Sequence, residues 1–99
     1  MPKSGFSANS QAKVVANDIQ SKLAGKKRFP ARYRNTCWSL VATNDSVKVG
    51  ASYTAGDKAV DVTSKFISKP GEDAAVRAQT FQESLGWYAG ITADMFAKA

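Results

Sequence analysis

The single cysteine of this 99-residue chain is the residue best suited to chemistry. Cys37 lies between Thr36 and Trp38, where a segment rich in aromatic and β-branched residues begins and favours a strand. A thiolate is a nucleophile and a redox group, so this thiol is a candidate reactive site. A lone cysteine is also commonly a small buried hydrophobic residue, and its neighbours leave both interpretations open.

The first residues of the chain form a second candidate site. They combine a cation, a glycine, an aromatic ring and two hydroxyls ahead of a helical pattern: Lys3, Ser4, Gly5, Phe6 and Ser7. A helix start offers backbone N–H groups and a partial positive charge, both of which attract anions. Serine is also an ordinary helix cap, so this segment alone specifies no ligand.

The third candidate is Trp87, in the segment GWYAGITADMF over residues 86–96. A tryptophan on an amphipathic helix is most often a core or interface aromatic, and the same applies to Trp38. The residue types therefore mark Trp87 for packing, and only a wider resemblance gives it another role.

Composition excludes several classes of protein. The chain has no histidine, so it lacks the usual general base near neutral pH, a Cys–His pair and a zinc-site pattern. One cysteine cannot form an intrachain disulfide. The sequence contains neither the glycine fingerprint of a dinucleotide-binding loop nor a C-x-x-C-H haem-attachment motif. No apolar run approaches the roughly 20 residues of a membrane span.

The charge is unevenly distributed along the chain. Residues 1–37 carry eight Lys or Arg and one acid, for a net charge of +7, whereas residues 38–99 carry a net charge of −1. A basic segment of this kind can bind a phosphate backbone. It can equally be a solvated helix end, where cations interact favourably with the helix dipole.

The pattern predicts an α+β fold: an N-terminal helix, a three-stranded antiparallel meander and a C-terminal helix. The first helix is expected to begin near Ser7 or Asn9 and to end at Gly25, followed by an extended connector over residues 29–33. One apolar stripe recurs along it at steps of three and four residues: Ala12, Val15, Ile19 and Leu23.

The strands are expected at about residues 36–42, 46–54 and 59–67. Glu72 and Asp73 would lie in the first turn of the second helix, which is expected to run to about Ala89 and to be interrupted by Gly90. A further helical turn is expected over residues 92–96. The candidate buried residues of the second helix are apolar or aromatic: Val76, Phe81, Leu85 and Tyr88.

Taken together, three segments resemble the C-terminal part of the flavoprotein subunit of flavocytochrome c sulfide dehydrogenase. They are the opening MPKSGFSANSQAK, the N-T-C-[aromatic]-S motif at residues 35–39 and the W-Y-x-x-I-T-A-D-M-F ending at residues 87–96. The resemblance covers nearly the whole chain. It implies that residues 1–28 end an FAD domain and that residues 29–99 form the C-terminal interface domain.

The resemblance also implies roles for the candidate residues. Residues 3–7 would contact the flavin edge at a helix start, and Thr36 and Trp87 would lie near the flavin. Cys37 would be half of a redox disulfide whose second cysteine belongs to an earlier domain. The family usually has tyrosine where this chain has Phe6, so an aromatic ring remains and a hydroxyl donor is missing.

The whole family protein oxidises sulfide in the periplasm and passes electrons through FAD to a c-type cytochrome subunit. The resemblance therefore predicts upstream FAD-binding and dithiol domains as partners. It also predicts that this chain is a fragment that is inactive alone and does not bind free FAD measurably. An apolar stripe left exposed on the first helix would favour self-association or loose packing of that helix.

Two other hypotheses remain. The basic N-terminal half could make the chain a small stand-alone module that binds nucleic acid or another polyanion, although its cations surround one helix end and no aromatic platform interleaves with them. The chain could also be a structural remnant without activity.

Overall fold

The computed structural model describes residues 1–97 and confirms the α+β fold. Its elements follow one another as helix, meander and helix: α1 (Gly5–Leu23), β1 (Arg32–Ala42), β2 (Asp45–Ala55), β3 (Val60–Ile67) and α2 (Ala74–Phe96). The sheet has the order β1-β2-β3, so each strand pairs with its neighbour in sequence. This order places β2 in the centre and leaves β1 and β3 as the outer strands.

Helix α1 begins earlier than the sequence indicated. Ser4 caps it, because its extended backbone lets the side-chain oxygen accept a hydrogen bond from the Ser7 N–H at 3.1 Å. The expected start near Ser7 or Asn9 is therefore wrong. The expected end at Gly25 is confirmed: Gly25 has φ +67°, and the N–H of Lys26 reaches the carbonyl of Ser21 at 2.9 Å in a Schellman motif.

Strand β1 is longer than predicted at its N-terminal end. β1 already begins at Arg32, so the connector expected over residues 29–33 gives way to strand two residues early. Thr43 and Asn44 make the β1–β2 turn, and Asn44 takes a positive φ of 56°, which asparagine tolerates well. The predicted ranges of β2 and β3 agree with the structure to within one residue at each end.

Helix α2 differs from the prediction at two points. Asp73 is the N-cap residue and Glu72 precedes it, so neither acid lies in the first turn. Gly90 does not interrupt the helix, which continues to Phe96. A glycine in a helix interior costs about 1 kcal/mol, and one such residue does not end a helix of 23 residues.

Both helices turn their small polar faces inward and their apolar stripes outward. On α1, Val15 is 54% exposed and Leu23 is 84% exposed, so the stripe expected from the sequence is seen and is open to solvent. On α2, Val76, Leu85 and Tyr88 are exposed, which makes their predicted burial wrong, whereas Phe81 is half-buried.

The inward face of α2 follows a different register, with Thr80 and Ser84 buried. Among residues 1–97, the buried hydrophobic core consists of Ala51 alone, and the other fully buried side chains are polar. The chain exposes 7530 Å², whereas a monomeric protein of its mass exposes about 5,500 Å². Neither helix is long and apolar enough to cross a membrane, as far as residues 1–97 show.

The chain divides into two interleaved units. The first unit combines residues 1–37 with residues 49–66, and therefore contains α1, the start of β1, most of β2 and most of β3. The second unit combines residues 38–48 with the residues from 67 onward, and therefore contains the β1–β2 hairpin end and α2. The predicted domain boundary between residues 28 and 29 stays a prediction, and residues 98 and 99 of the predicted second domain lie outside the described residues.

Candidate functional site

A buried amide in the first unit joins two of the sequence-predicted segments. Asn35 in β1 is 3% exposed. Its Oδ1 accepts hydrogen bonds from the hydroxyls of Ser4, at 2.6 Å, and Ser7, at 3.0 Å. Its Nδ2 donates to the sulfur of Cys37 at 3.4 Å. One side chain therefore connects the first turn of α1 to the only thiol in the chain.

Strand geometry explains why these groups meet. Side chains two residues apart in a strand share a face, so Asn35 and Cys37 project to the side on which α1 begins. A second contact holds the helix there, because the Ser10 hydroxyl accepts from the backbone N–H of Arg34 at 3.0 Å. We call Ser4, Ser7, Asn35 and Cys37 the amide–thiol cluster.

The neighbouring strand is shaped to carry Asn35. Gly50 in β2 is buried directly beside it, and a Cβ placed there would collide with the backbone carbonyl of Asn35 and lie 2.5 Å from the ring of Phe66. Only glycine lets the three strands approach this closely. The Phe66 ring from β3 covers the space that a side chain at position 50 would fill.

The cluster suits a sulfur that carries negative charge. Cys37 is half-buried, and the amide group that donates to its sulfur also accepts hydrogen bonds from two hydroxyls at its opposite end. Hydrogen bonds to charged groups are roughly twice as strong as those between neutral groups. Asn35 is the residue that sequence reasoning missed, although it belongs to the N-T-C motif.

The other predicted residues of the first unit lie around this cluster in different ways. Thr36 is buried and, as the residue between Asn35 and Cys37, projects from the opposite face of β1. Lys3 and Gly5 are exposed, and Phe6 is half-buried. Nothing lies within 4 Å of the position that a Cβ on Gly5 would occupy, so the helix start is open to a ligand.

Trp87 belongs to the second unit and packs against Trp38. The ring centroids lie 5.8 Å apart with the planes tilted by 32°, a favourable aromatic arrangement. Both rings are half-buried. The packing role expected for Trp38 is thus seen, and its contact with Trp87 has no signal in the local sequence because 49 positions separate the two residues.

The basic segment forms an open groove in the first unit, of about 920 Å³. Its lining combines cations from α1 and the connector with two aromatic rings: Lys13, Lys27, Arg28, Arg32, Phe29 and Tyr33. Arg28 also forms an ion pair with Asp18. The hydrogen bond and charge of Arg28 hold the pKa of the Asp18 carboxyl below its ordinary value.

The fold and the cluster define a small α+β domain that presents a thiol together with the start of a helix. A family model described as "flavocytochrome c sulphide dehydrogenase, flavin-binding" matches residues 29–96, about two thirds of the chain. The chain belongs to this flavin-binding family. Membership indicates that the cofactor is a flavin. It also indicates that the proteins of this family work in a flavocytochrome complex.

The residues of the chain fit the edge of a flavin ring. The open start of α1 can approach a group that becomes negatively charged, and the half-buried Cys37 lies in the same cluster as that helix start. The sequence lacks a pyrophosphate-binding loop, so these residues do not account for the dinucleotide part of FAD.

Proposed function

We propose that this chain is the C-terminal portion of an FAD-dependent sulfide dehydrogenase and is inactive alone. The observation that carries the proposal is the amide–thiol cluster: the predicted redox sulfur and the predicted flavin-edge helix start share one buried amide. The family match supports flavin as the cofactor class. FAD, when bound, would accept the two electrons released as sulfide is oxidised.

Cys37 serves in this proposal as the sulfur acceptor. Its sulfur is bonded to a partner cysteine from an upstream domain. Hydrosulfide attacks the Cys37 sulfur, a new sulfur–sulfur bond forms there, and the partner cysteine leaves as a thiolate with the bonding electron pair. Cys37 is half-buried, and this step requires that hydrosulfide, a small nucleophile, reaches its sulfur.

The remaining predicted residues hold and shape the flavin environment. The backbone at Ser4 and Gly5 directs the positive end of α1 at the ring edge, and Phe6 supplies an aromatic surface beside it. Lys3 and Ser7 are the other residues of this segment assigned to the flavin edge. Thr36 and Trp87 are further flavin neighbours by family resemblance.

The outward apolar stripe of α1 supports a partner domain. Ala12, Val15, Ile19 and Leu23 are all exposed, and such a stripe is ordinarily covered in a folded assembly. We assign it to the upstream FAD-binding and dithiol domains, with residues 1–28 as the end of the FAD domain. A c-type cytochrome subunit is the electron acceptor, and the periplasm, where disulfides persist, is the location.

The test uses the native protein that contains these residues, purified with its flavin and partner subunit. Sodium sulfide should bleach the visible flavin band of this protein, and Cys37→Ser should abolish the bleaching while the flavin stays bound. Asp57→Asn, in the exposed β2–β3 loop, is the control and should bleach normally. Bleaching by sulfide in the Cys37→Ser protein would refute the proposal.

One observation favours a second candidate function. The groove lined by four cations and two aromatic rings could bind a polyanion such as nucleic acid. In a mobility assay at about 50 mM salt, binding that weakens steeply with added salt would favour this alternative. Absence of a shift under those conditions would remove it.

A further inference from the structure

We propose that Asn35 is a positioning residue that acts on Cys37 through its side-chain amide. The proposal rests on the proposed function of Cys37, because it assigns the amide a role at that same sulfur. Asn35 forms no covalent bond and transfers no proton in this proposal: its Nδ2 donates a hydrogen bond to the Cys37 sulfur at 3.4 Å and thereby orients it.

The orientation of the amide carries the argument. Two hydroxyl groups, from Ser4 and Ser7, point their hydrogen bonds at Oδ1, which leaves Nδ2 as the end that faces Cys37. The alternative contact from the sulfur to Oδ1 is longer, at 3.9 Å. Nδ2 is a donor only, so this arrangement favours a sulfur that accepts a hydrogen bond, as a thiolate or a disulfide sulfur does.

The burial of the cluster keeps the amide in place. Ser7 is 1% exposed and Asn35 is 3% exposed, so water does not compete for these hydrogen bonds. Ser4 is fixed in turn, because its oxygen also accepts the Ser7 N–H that caps α1. The start of α1 and the sulfur of Cys37 are thereby coupled. A change of charge at the sulfur alters the hydrogen bond from the Asn35 amide, and through that amide it alters the hydrogen bonds from Ser4 and Ser7 at the helix cap.

The same geometry gives Asn35 a defined effect on exchange reactions. After hydrosulfide has added its sulfur to Cys37, a second hydrosulfide that takes this outer sulfur releases the Cys37 sulfur with the electron pair as a thiolate, and the amide N–H stabilises that charge. A residue of the same shape without the N–H would keep the serine contacts and lose this stabilisation. Asparagine at position 35 therefore tunes the leaving ability of Cys37 as well as its position.

The first experiment measures the thiol in the chain itself, without flavin. Asn35→Asp keeps an acceptor for Ser4 and Ser7 and removes the donor to sulfur. Alkylation of Cys37 by iodoacetamide at pH 8 should slow about fivefold, because the thiolate loses its donor and gains a neighbouring carboxylate. Asn17→Asp, the same change on the exposed face of α1, should leave the rate unchanged. An unchanged rate in a folded Asn35→Asp chain would overturn the inference.

A second measurement needs no substitution at position 35, in case the aspartate variant does not fold. The side-chain amide signals of the wild-type chain are compared by NMR before and after alkylation of Cys37. The Asn35 signal should move more than that of any other asparagine or glutamine. A shift no larger than that of Asn17 or Asn44 would overturn the inference.

These outcomes are independent of the proposed function. Both measurements report on the free thiol, whereas the flavin-bleaching test reports on sulfide oxidation. If Cys37→Ser still bleaches and Asn35→Asp is alkylated slowly, the amide contact is supported and the role of Cys37 in sulfide oxidation is rejected. If Cys37→Ser does not bleach and Asn35→Asp is alkylated at the normal rate, the role of Cys37 is supported and the positioning role of Asn35 is rejected.

Discussion

The two units fix their helices to the sheet by different means. In the first unit, α1 is tied to β1 through a buried neutral network in which Asn35 reaches residues 28 and 31 positions away. In the second unit, the buried hydroxyls of Thr80 and Ser84 bond to carbonyls of their own helix. There α2 is held by two part-exposed ion pairs, Arg77–Asp45 and Lys48–Glu83, and by the two tryptophans.

This difference shows where precise positioning is concentrated. A buried hydrogen-bond network fixes side-chain orientation but leaves costly orphaned groups when one member is lost. Part-exposed ion pairs tolerate movement and loss, since water replaces them cheaply. The network belongs to the unit that carries Cys37, and the tolerant contacts belong to the unit that lacks it. Hydrogen bonds that fix side-chain orientation are therefore concentrated in the unit that contains Cys37.

The largest expected effect comes from removing the amide. Asn35→Ala leaves the hydroxyls of Ser4 and Ser7 without their buried acceptor, so the free energy of unfolding should fall by about 3 kcal/mol. Thr80→Val, at a site 2% exposed in the second unit, should lower it by less than about 1 kcal/mol, because Thr80 bonds only to its own helix. Urea denaturation measures both, and equal losses would remove the contrast between the units.

Gly50 offers the next test. A methyl group at this position meets the Asn35 carbonyl and the Phe66 ring, so Gly50→Ala should destabilise the chain by about 2 kcal/mol. Gly86→Ala is the matched control, because nothing lies within 4 Å of its Cβ position in α2. That substitution should stabilise by about 0.5–1 kcal/mol, through helix propensity alone. Thermal unfolding that gives both changes the same sign would contradict this account of the sheet.

A smaller effect is expected at the ion pairs of the second unit. Lys48 Nζ and Glu83 Oε2 are 2.6 Å apart, and both side chains are about one third exposed. Glu83→Gln should therefore reduce stability by only about 0.5 kcal/mol, and the loss should shrink as salt is added. Denaturation at low and high salt checks this, with Asp57→Asn as a charge-matched control. A loss that salt does not alter would indicate that packing, rather than charge, joins Glu83 to β2.

The smallest effect concerns Asp18. Arg28 lowers the pKa of this carboxyl in the folded chain, so its contribution to stability is present above the unfolded value of about 3.9 and is lost as the pH falls through the folded value. An NMR titration should place the Asp18 pKa below the ordinary value of an aspartate, and Arg28→Gln should raise it toward that value. No movement in Arg28→Gln would show that another group causes the shift.

The sequence predicts the fold well because its signals are local. Alternation, turn residues and glycine placement identify the elements, and the C-terminal end of α1 at Gly25 follows directly from its conformational freedom. The errors are also local in origin. Ser4 competes with Ser7 and Asn9 as the cap of α1, and Gly90 is tolerated because one glycine is a small penalty in a long helix.

The site is only partly predictable for a physical reason. Cys37 and the start of α1 are visible as residue types, but the amide that joins them acts across about 30 positions and leaves no periodic signal. The predicted burial of Val76, Leu85 and Tyr88 on α2 is wrong because the apolar side of this helix faces solvent. The inward face of α2 consists instead of Thr80, Ser84 and Trp87, and the apolar residues of the helix remain exposed to solvent.

The most direct test of the central claim is the chemical state of Cys37 during turnover. The native protein is mixed briefly with sulfide, its thiols are trapped with iodoacetamide, and the peptide that contains Cys37 is weighed by mass spectrometry. We predict a population of this peptide that carries one additional sulfur atom before trapping. Reduction of the flavin by sulfide with no added sulfur on Cys37 at any time would contradict the account.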